Sequence, residues 1–240
     1  MPGAIRRKAS IYGGRDPLDL PTYTLGEIAH CLQVPYATTR AWVLGRKYPS
    51  ASGDKWAEPL IEVADKDTPA LSFRNVVELH VLSAIRRKHQ VSMPAIRSAI
   101  DYLRESLDLQ RPLADQQMLT DGRDLFIRHL GNLVNISQRG QLEMNQVVRA
   151  YLLRIERSPA GVPIQLFPFT GSNIQVAPKL VVMNPRVQFG RPCIVGTGIP
   201  TAIIAERYKA GDSIKQLVND YGQAAKKIEE AIRYELETAA

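Results

Sequence analysis

The stretch NPRVQFGRPCIVGTGIP, Asn184 to Pro200, constrains this chain most tightly, because it places three prolines and three glycines in seventeen residues. Pro185, Pro192 and Pro200 fix φ and remove backbone donors, while Gly190, Gly196 and Gly198 permit positive φ, so each turn is pinned. A flexible linker would be Gly/Ser-rich and free of such restraints. The segment therefore reads as a rigid arm that positions the chain beyond Pro200.

That C-terminal stretch is helical. After Pro200, Thr201 can cap a helix through Lys209, Gly211 ends it, Ser213 caps a second helix IKQLVNDY, and Gly222 separates a third from Gln223 to about Leu236. Ile203, Ile204, Tyr208, Ile214, Leu217, Val218, Ile228, Ile232 and Tyr234 suffice for a small shared core, into which the arm sends Ile194 and Ile199. Gly196-Thr197-Gly198 lacks the third glycine or the Lys-Ser/Thr pair of a phosphate loop, which argues against nucleotide binding.

The residues Asn184, Pro185, Gly190, Pro192, Cys193, Ile194, Gly196, Thr197, Ile199 and Pro200, followed by AG-x-S-x-x-x-L-x-x-DY, resemble a prokaryotic family first catalogued as a domain of unknown function. This motif, over about residues 179 to 236, is similar to the C-terminal domain of VapB-like antitoxins, which are encoded beside PIN-domain ribonuclease toxins. Phe189, Val195 and Gly198 depart from the family pattern.

At the other end, YTLGEIAHCLQVPYATTRAW reads as a helix-turn-helix. Thr24 with Glu27 three residues later is a capping box, Ile28, Ala29 and Leu32 share a face, Gln33 to Pro35 turn the chain, and Tyr36 to Val43 open a second helix. The polar segment from Gly45 to Phe73, broken by LIEV, suits a β-hairpin wing. Ser72 then caps a helix carrying Phe73, Val76, Val77, Val81 and Ile85. Past the basic cluster Arg86, Arg87 and Lys88, Ser92 and Pro94 start another helix, with Ile96, Ile100, Leu103 and Leu107 on one stripe.

The order helix, helix, wing, helix, helix resembles the winged DNA-binding domain of the MerR family over residues 23 to 107, through Tyr23, Thr24, Glu27, Ala29, Val34, Thr38, Arg40 and Trp42. The resemblance implies that Tyr23 and Thr24 approach phosphate, Tyr36 and Ala37 face base edges, and Arg40 contacts phosphate, with Thr38 counted among the DNA-facing residues. Ala37 offers at most a methyl contact to thymine, so Arg46, Lys47 and Lys55 of the wing and deformation of the duplex must add to recognition. Arg40 could instead pair with the hairpin's own acids.

Charge supports a polyanionic partner and places it. The net charge is +7, of which residues 1 to 104 carry +5 (15 basic, 10 acidic), 105 to 178 zero (7 and 7) and 179 to 240 +2 (9 and 7). In the middle, DLQRPLADQQMLTDG reads as a connector and DLFIRHLGNLVNIS as a hairpin turning at Gly131-Asn132. Met144, Val147, Val148, Tyr151, Leu152 and Ile155 mark a helix, and VPIQLFPF and KLVVM read as strands. His30, His80, His89 and His129 have no metal-ligand spacing, and no catalytic constellation stands out. Cys31 and Cys193 read as buried reduced thiols. The sequence shows neither an apolar run of membrane-spanning length nor a signal-peptide core, so a cytoplasmic protein is expected.

These readings combine into a mainly α fold with small β elements (α+β). It has an arm over 1–22, a winged helix-turn-helix over 23–107, an α+β connector over 108–178 and a trihelical domain over 179–240. The expected function is that of a DNA-binding antitoxin, not an enzyme and without cofactor or metal, that neutralises a PIN-domain toxin and represses its own operon. A free-standing MerR-like regulator is the alternative. A homodimer is expected on a two-fold operator. Its candidate surfaces are the Pro94 to Leu107 stripe, which could instead pack on the helix beginning at Ser72, and an unpaired strand edge at LVNIS.

Overall fold

The computed structural model describes residues 12–49, 53–63, 65, 67–86, 91–169 and 177–236. Of the candidate residues, Arg87, Lys88 and His89 lie outside it.

The capping box forms as the spacing predicts. The Glu27 amide donates to Thr24 Oγ1 at 3.2 Å and the Thr24 amide to Glu27 Oε2 at 2.8 Å, starting α1 (Leu25–Cys31). Gln33 takes φ 54° in the turn, and α2 (Tyr36–Leu44) comes next, its Trp42 and Val43 buried. The wing is shorter and earlier than LIEV suggests: β1 (Arg46–Tyr48) pairs antiparallel with β2 (Lys55–Ala57). Leu60 and Ile61 are instead buried beneath it, where the Leu60 amide donates to Trp42 O at 2.7 Å.

Ser72 caps α3 (Phe73–Arg86) by accepting from the Asn75 amide at 3.3 Å, and Phe73, Val76, Val77, Val81 and Ile85 are fully buried. Ser92 caps α4 (Met93–Leu107), whose Ile96, Ile100 and Leu103 are buried by packing on the next helix. That corrects the first dimer surface: the stripe is covered within the chain, chiefly by α5 (Asp121–Leu133), in the same core as α3. Two 3₁₀ turns, Pro112–Ala114 and Gln116–Leu119, bury Leu113 and Met118, so the connector contributes to the core.

The hairpin expected at Gly131-Asn132 is a helix instead. Phe126, Ile127 and Leu130 are buried together on one side of α5, and Gly131 sits inside it with the side chain of Gln141 from α6 (Gln138–Leu152) against it. Only beyond Leu133 does the chain turn, with Asn135 at φ 52°. LVNIS is therefore a helix end and a loop, and the strand edge expected there as a dimer surface does not exist.

Ser137 caps α6, and β3 (Ile155–Arg157) takes up Ile155, which the periodicity assigns to the helix. β3 pairs antiparallel with β4 (Pro163–Leu166). The arm enters here. Leu166 and Met183 exchange backbone hydrogen bonds of 3.0 and 2.8 Å, while β5 (Val181–Val182) pairs with β6 (Cys193–Ile194). Of the arm's three glycines, Gly190 (φ 84°) and Gly196 (φ 77°) use the left-handed region; Gly198 does not.

The trihelical unit comprises α7 (Thr201–Lys209), α8 (Ile214–Tyr221) and α9 (Ala225–Leu236). Its core is Ile194, Ile204, Leu217, Ile228, Ala231 and Ile232, with Ile199, Ile214 and Val218 packed against it. Three assignments change. Pro200, not Thr201, precedes the first helical residue; Ile203 and Tyr208 are exposed; and buried Tyr234 faces α1. A separate, larger core runs without a break from Leu18 through the middle segment to Met183. The fold is mainly helical α+β, with three antiparallel strand pairs among the described residues.

Candidate nucleic-acid interface

At 3.6 residues per turn, Tyr36, Ala37 and Arg40 fall on one side of α2. All three are exposed, Tyr36 at 54%, while Thr39, Trp42 and Val43 anchor the opposite side. Among the described residues no carboxylate pairs with Arg40, Arg46, Lys47 or Lys55, and all four cations are exposed. A groove of about 410 Å³ is lined by α2 (Ala37, Ala41), the wing (Arg46, Tyr48) and the start of α4 (Met93, Pro94). A helix with one open side beside a cationic hairpin can enter a major groove while the hairpin tracks phosphates.

Two of the expected DNA-facing residues are not on this surface. Thr38 is buried, reaching only the groove lining and not the exposed side of α2. Tyr23 is only 5% exposed, and its hydroxyl donates to Gly190 O at 3.3 Å, so the residue expected at phosphate is committed to the arm. Burial pushes its phenol pKa up, which keeps it the donor. Thr24 is exposed, with its hydroxyl engaged by Glu27 in the cap.

Tyr23 opens onto a seam between the two ends of the chain. Tyr234 of α9 donates its hydroxyl to Cys31 O at 3.1 Å, and His30 Nε2 lies 3.2 Å from Glu235 Oε2. The carboxylate also accepts from the Thr201 hydroxyl, and the Thr201 amide donates to Pro192 O at 3.0 Å. The Glu235 hydrogen bond raises the His30 pKa. Burial alone would raise that of Glu235, yet its bonds to His30 and Thr201 hold it below the usual carboxylate value. Cys31 and Cys193 are both buried free thiols, and burial pushes the Cys31 thiol up to about 12.

Sequence reasoning missed Arg154. The guanidinium is buried and donates to Phe167 O at 2.7 Å, Pro168 O and Ala177 O at 2.8 Å, and Pro178 O at 2.9 Å, over the ring of Phe169. Burial lowers its pKa to about 10. An arginine inside the apolar run YLLRI was the available signal, since such a charge is buried only when its donors are matched. The described histidines are separate: His80 bonds Tyr151 O at 3.0 Å inside the core, and His129 stacks on Tyr102 at 4.2 Å.

Comparison with known proteins matches this two-ended build. Residues 21–100 match a family described as "Putative DNA-binding HTH domain", and residues 181–234 match one described as "Protein of unknown function (DUF433)". Both domains are thus present, and the first supports a DNA-binding regulator. It is similar over nearly its whole length to two proteins of Mycobacterium tuberculosis (strain ATCC 25618 / H37Rv). To "Putative antitoxin VapB45" it is 27% identical over 233 residues, 89% of this chain and 93% of that protein. To "Uncharacterized protein Rv2308" it is 26% identical over 225 residues, 90% and 91% respectively. The crystal structure of Rv2018 from Mycobacterium tuberculosis superposes with a TM-score of 0.65 at 24% identity, covering 90% of this chain and 99% of that one, which shows a shared fold.

Proposed function

We propose that this chain is the DNA-binding antitoxin of a toxin–antitoxin pair. In this reading it docks α2 in the major groove in the MerR manner, with Tyr36 and Ala37 at base edges and Arg40, Arg46, Lys47 and Lys55 at phosphates. It represses its own operon, and it masks a toxin of the PIN-domain ribonuclease class. The observation that carries the reading is the unpaired, exposed cation set on α2 and the wing, in a chain similar throughout to a protein named as an antitoxin. The reading gives the chain no catalytic role. In support, the fully buried carboxylate of Glu78 is engaged structurally, by Arg111 at 3.0 Å and Asn75 at 3.1 Å, although burial still raises its pKa. No helix among the described residues is long and apolar enough to cross a membrane, and in this reading the chain works in the cytoplasm, where its DNA is.

The test uses the full chain, since the large core joins its N-terminal and middle segments. A mobility shift with the duplex immediately upstream of its own gene should occur at lower protein concentration than with a scrambled duplex. Co-expression with the product of the adjacent open reading frame should restore growth and yield a copurifying complex. DNA binding without any such neighbour would assign the free-standing regulator instead; no DNA binding at all would reject both.

A further inference from the structure

The wing carries a large exposed aromatic to which the DNA-binding reading gives no role. Trp56 stands opposite Lys47 in the β1–β2 register, so the two side chains share one face of the hairpin, while Arg46, Tyr48 and Lys55 project from the other. The indole is 51% exposed and yet fixed along one edge. Gly45, at φ 77° in the α2–β1 junction, brings backbone beneath it: a Cβ there would stand 2.9 Å from Trp56 Cζ2 and 2.5 Å from Ala57 O. Glycine at this junction is what allows the ring to lie there, with its outer face open to solvent.

The surroundings indicate what would cover that face. A protein-docking anchor sits at the centre of an apolar patch rimmed by polar groups. Trp56 has the opposite setting, with the exposed cation Lys47 across from it on the same face. Asp54 and Glu58 bound the strand, and neither pairs with Lys47 among the described residues. A rigid aromatic beside an unpaired cation on the same face suits an anionic polymer that also presents apolar surface, as deoxyribose and base edges do.

We propose that Trp56 is a DNA contact of the wing, laid against sugar or base edge while Lys47, on the same face, engages phosphate, and that it supplies the salt-independent part of the wing's affinity. The proposal rests on the DNA-binding reading and deepens it. The chain has two tryptophans, and Trp42 is buried, so an acrylamide-quenchable emission component absent from Trp56→Phe reports Trp56 alone. Saturation with a 30-base-pair duplex from upstream of its own gene should shield that component severalfold. Trp56→Ala should weaken binding about tenfold, the order set by aromatic contacts to bases, without changing the salt slope; Lys47→Ala should lower the slope by about one; and Trp56→Phe should bind nearly as wild type. A duplex that binds, by anisotropy, while Trp56 stays equally quenchable and Trp56→Ala binds as wild type overturns the inference alone. So does shielding that appears with protein concentration and not with DNA, which marks a protein contact. Failure of the wild-type chain to bind this duplex or a random one overturns the DNA-binding reading and the inference with it.

Discussion

Gly190 is where the two ends of the chain meet, and its hydrogen atom in place of a side chain is what lets them. With φ 84° and Tyr23 against its Cα, a Cβ would collide with the tyrosine hydroxyl and stand 2.7 Å from Cζ. Gly196 shares the left-handed conformation, at φ 77°, but nothing lies within 4 Å of a Cβ there. Gly196→Ala should therefore cost only the backbone term, about 1 kcal/mol, and Gly190→Ala about 1–3 kcal/mol more, read from urea midpoints. Equal losses would contradict the packing account. The neighbouring pair titrates. Because the His30 pKa is raised by Glu235, its share of the seam's stability is fully present below the unfolded histidine value near 6.5 and is lost as pH rises through the folded value. Lys209 opposes this charge, and Glu235, depressed, loses its own share only as pH falls through its folded value. His30→Gln should thus destabilise more at pH 6 than at pH 8, and the reverse order would refute the pairing. None of this was readable from single residues. Tyr23 and Gly190 are 167 positions apart, and a tyrosine before a capped helix looks alike whether it faces DNA or an arm.

At the scale of elements, legibility tracks the locality of the signal. Capped helices are visible because Thr24 with Glu27, Ser92 with Pro94, and Ser213 with Gln216 satisfy their own helix ends within one turn. α5 is misread for the opposite reason: Gly131-Asn132 has the composition of a hairpin turn, and only packing against α6, as Gln141 does at Gly131, holds the segment helical. The small β elements depend equally on distant partners, β5 and β6 on each other and Met183 on Leu166. Arg154 joins this layer, holding the chain on both sides of residues 170–176 by four backbone carbonyls. Lysine cannot reproduce a forked set of donors. Arg154→Lys should therefore cost on the order of 2–4 kcal/mol in chemical denaturation and Arg154→Met at least as much, because the carbonyls lose their partners. A loss below about 0.5 kcal/mol for either would show that water replaces the guanidinium readily.

At the scale of the whole molecule, the seam makes α1 a shared wall between the DNA-facing domain and the trihelical unit, so the rigid arm orients both ends of the chain. In the proposed reading, a recognition face led by Tyr36, Ala37 and Arg40 spans few base pairs, and a repressor would gain selectivity by doubling it on a pseudo-palindrome. With the α4 stripe and the LVNIS segment unavailable, a dimer must use other surface. Light scattering at micromolar concentration should give twice the chain mass, and a monomer protecting one asymmetric half-site would end the two-fold account. The central claim is narrower: the exposed side of α2 meets DNA phosphate. Its most direct measurement is the salt dependence of duplex binding for wild type and Arg40→Ala, each shown to be folded. The account predicts weaker binding to upstream and unrelated duplexes by similar factors, and a slope of log K against log salt smaller in magnitude by about one. An unchanged affinity and slope in the folded variant would contradict it.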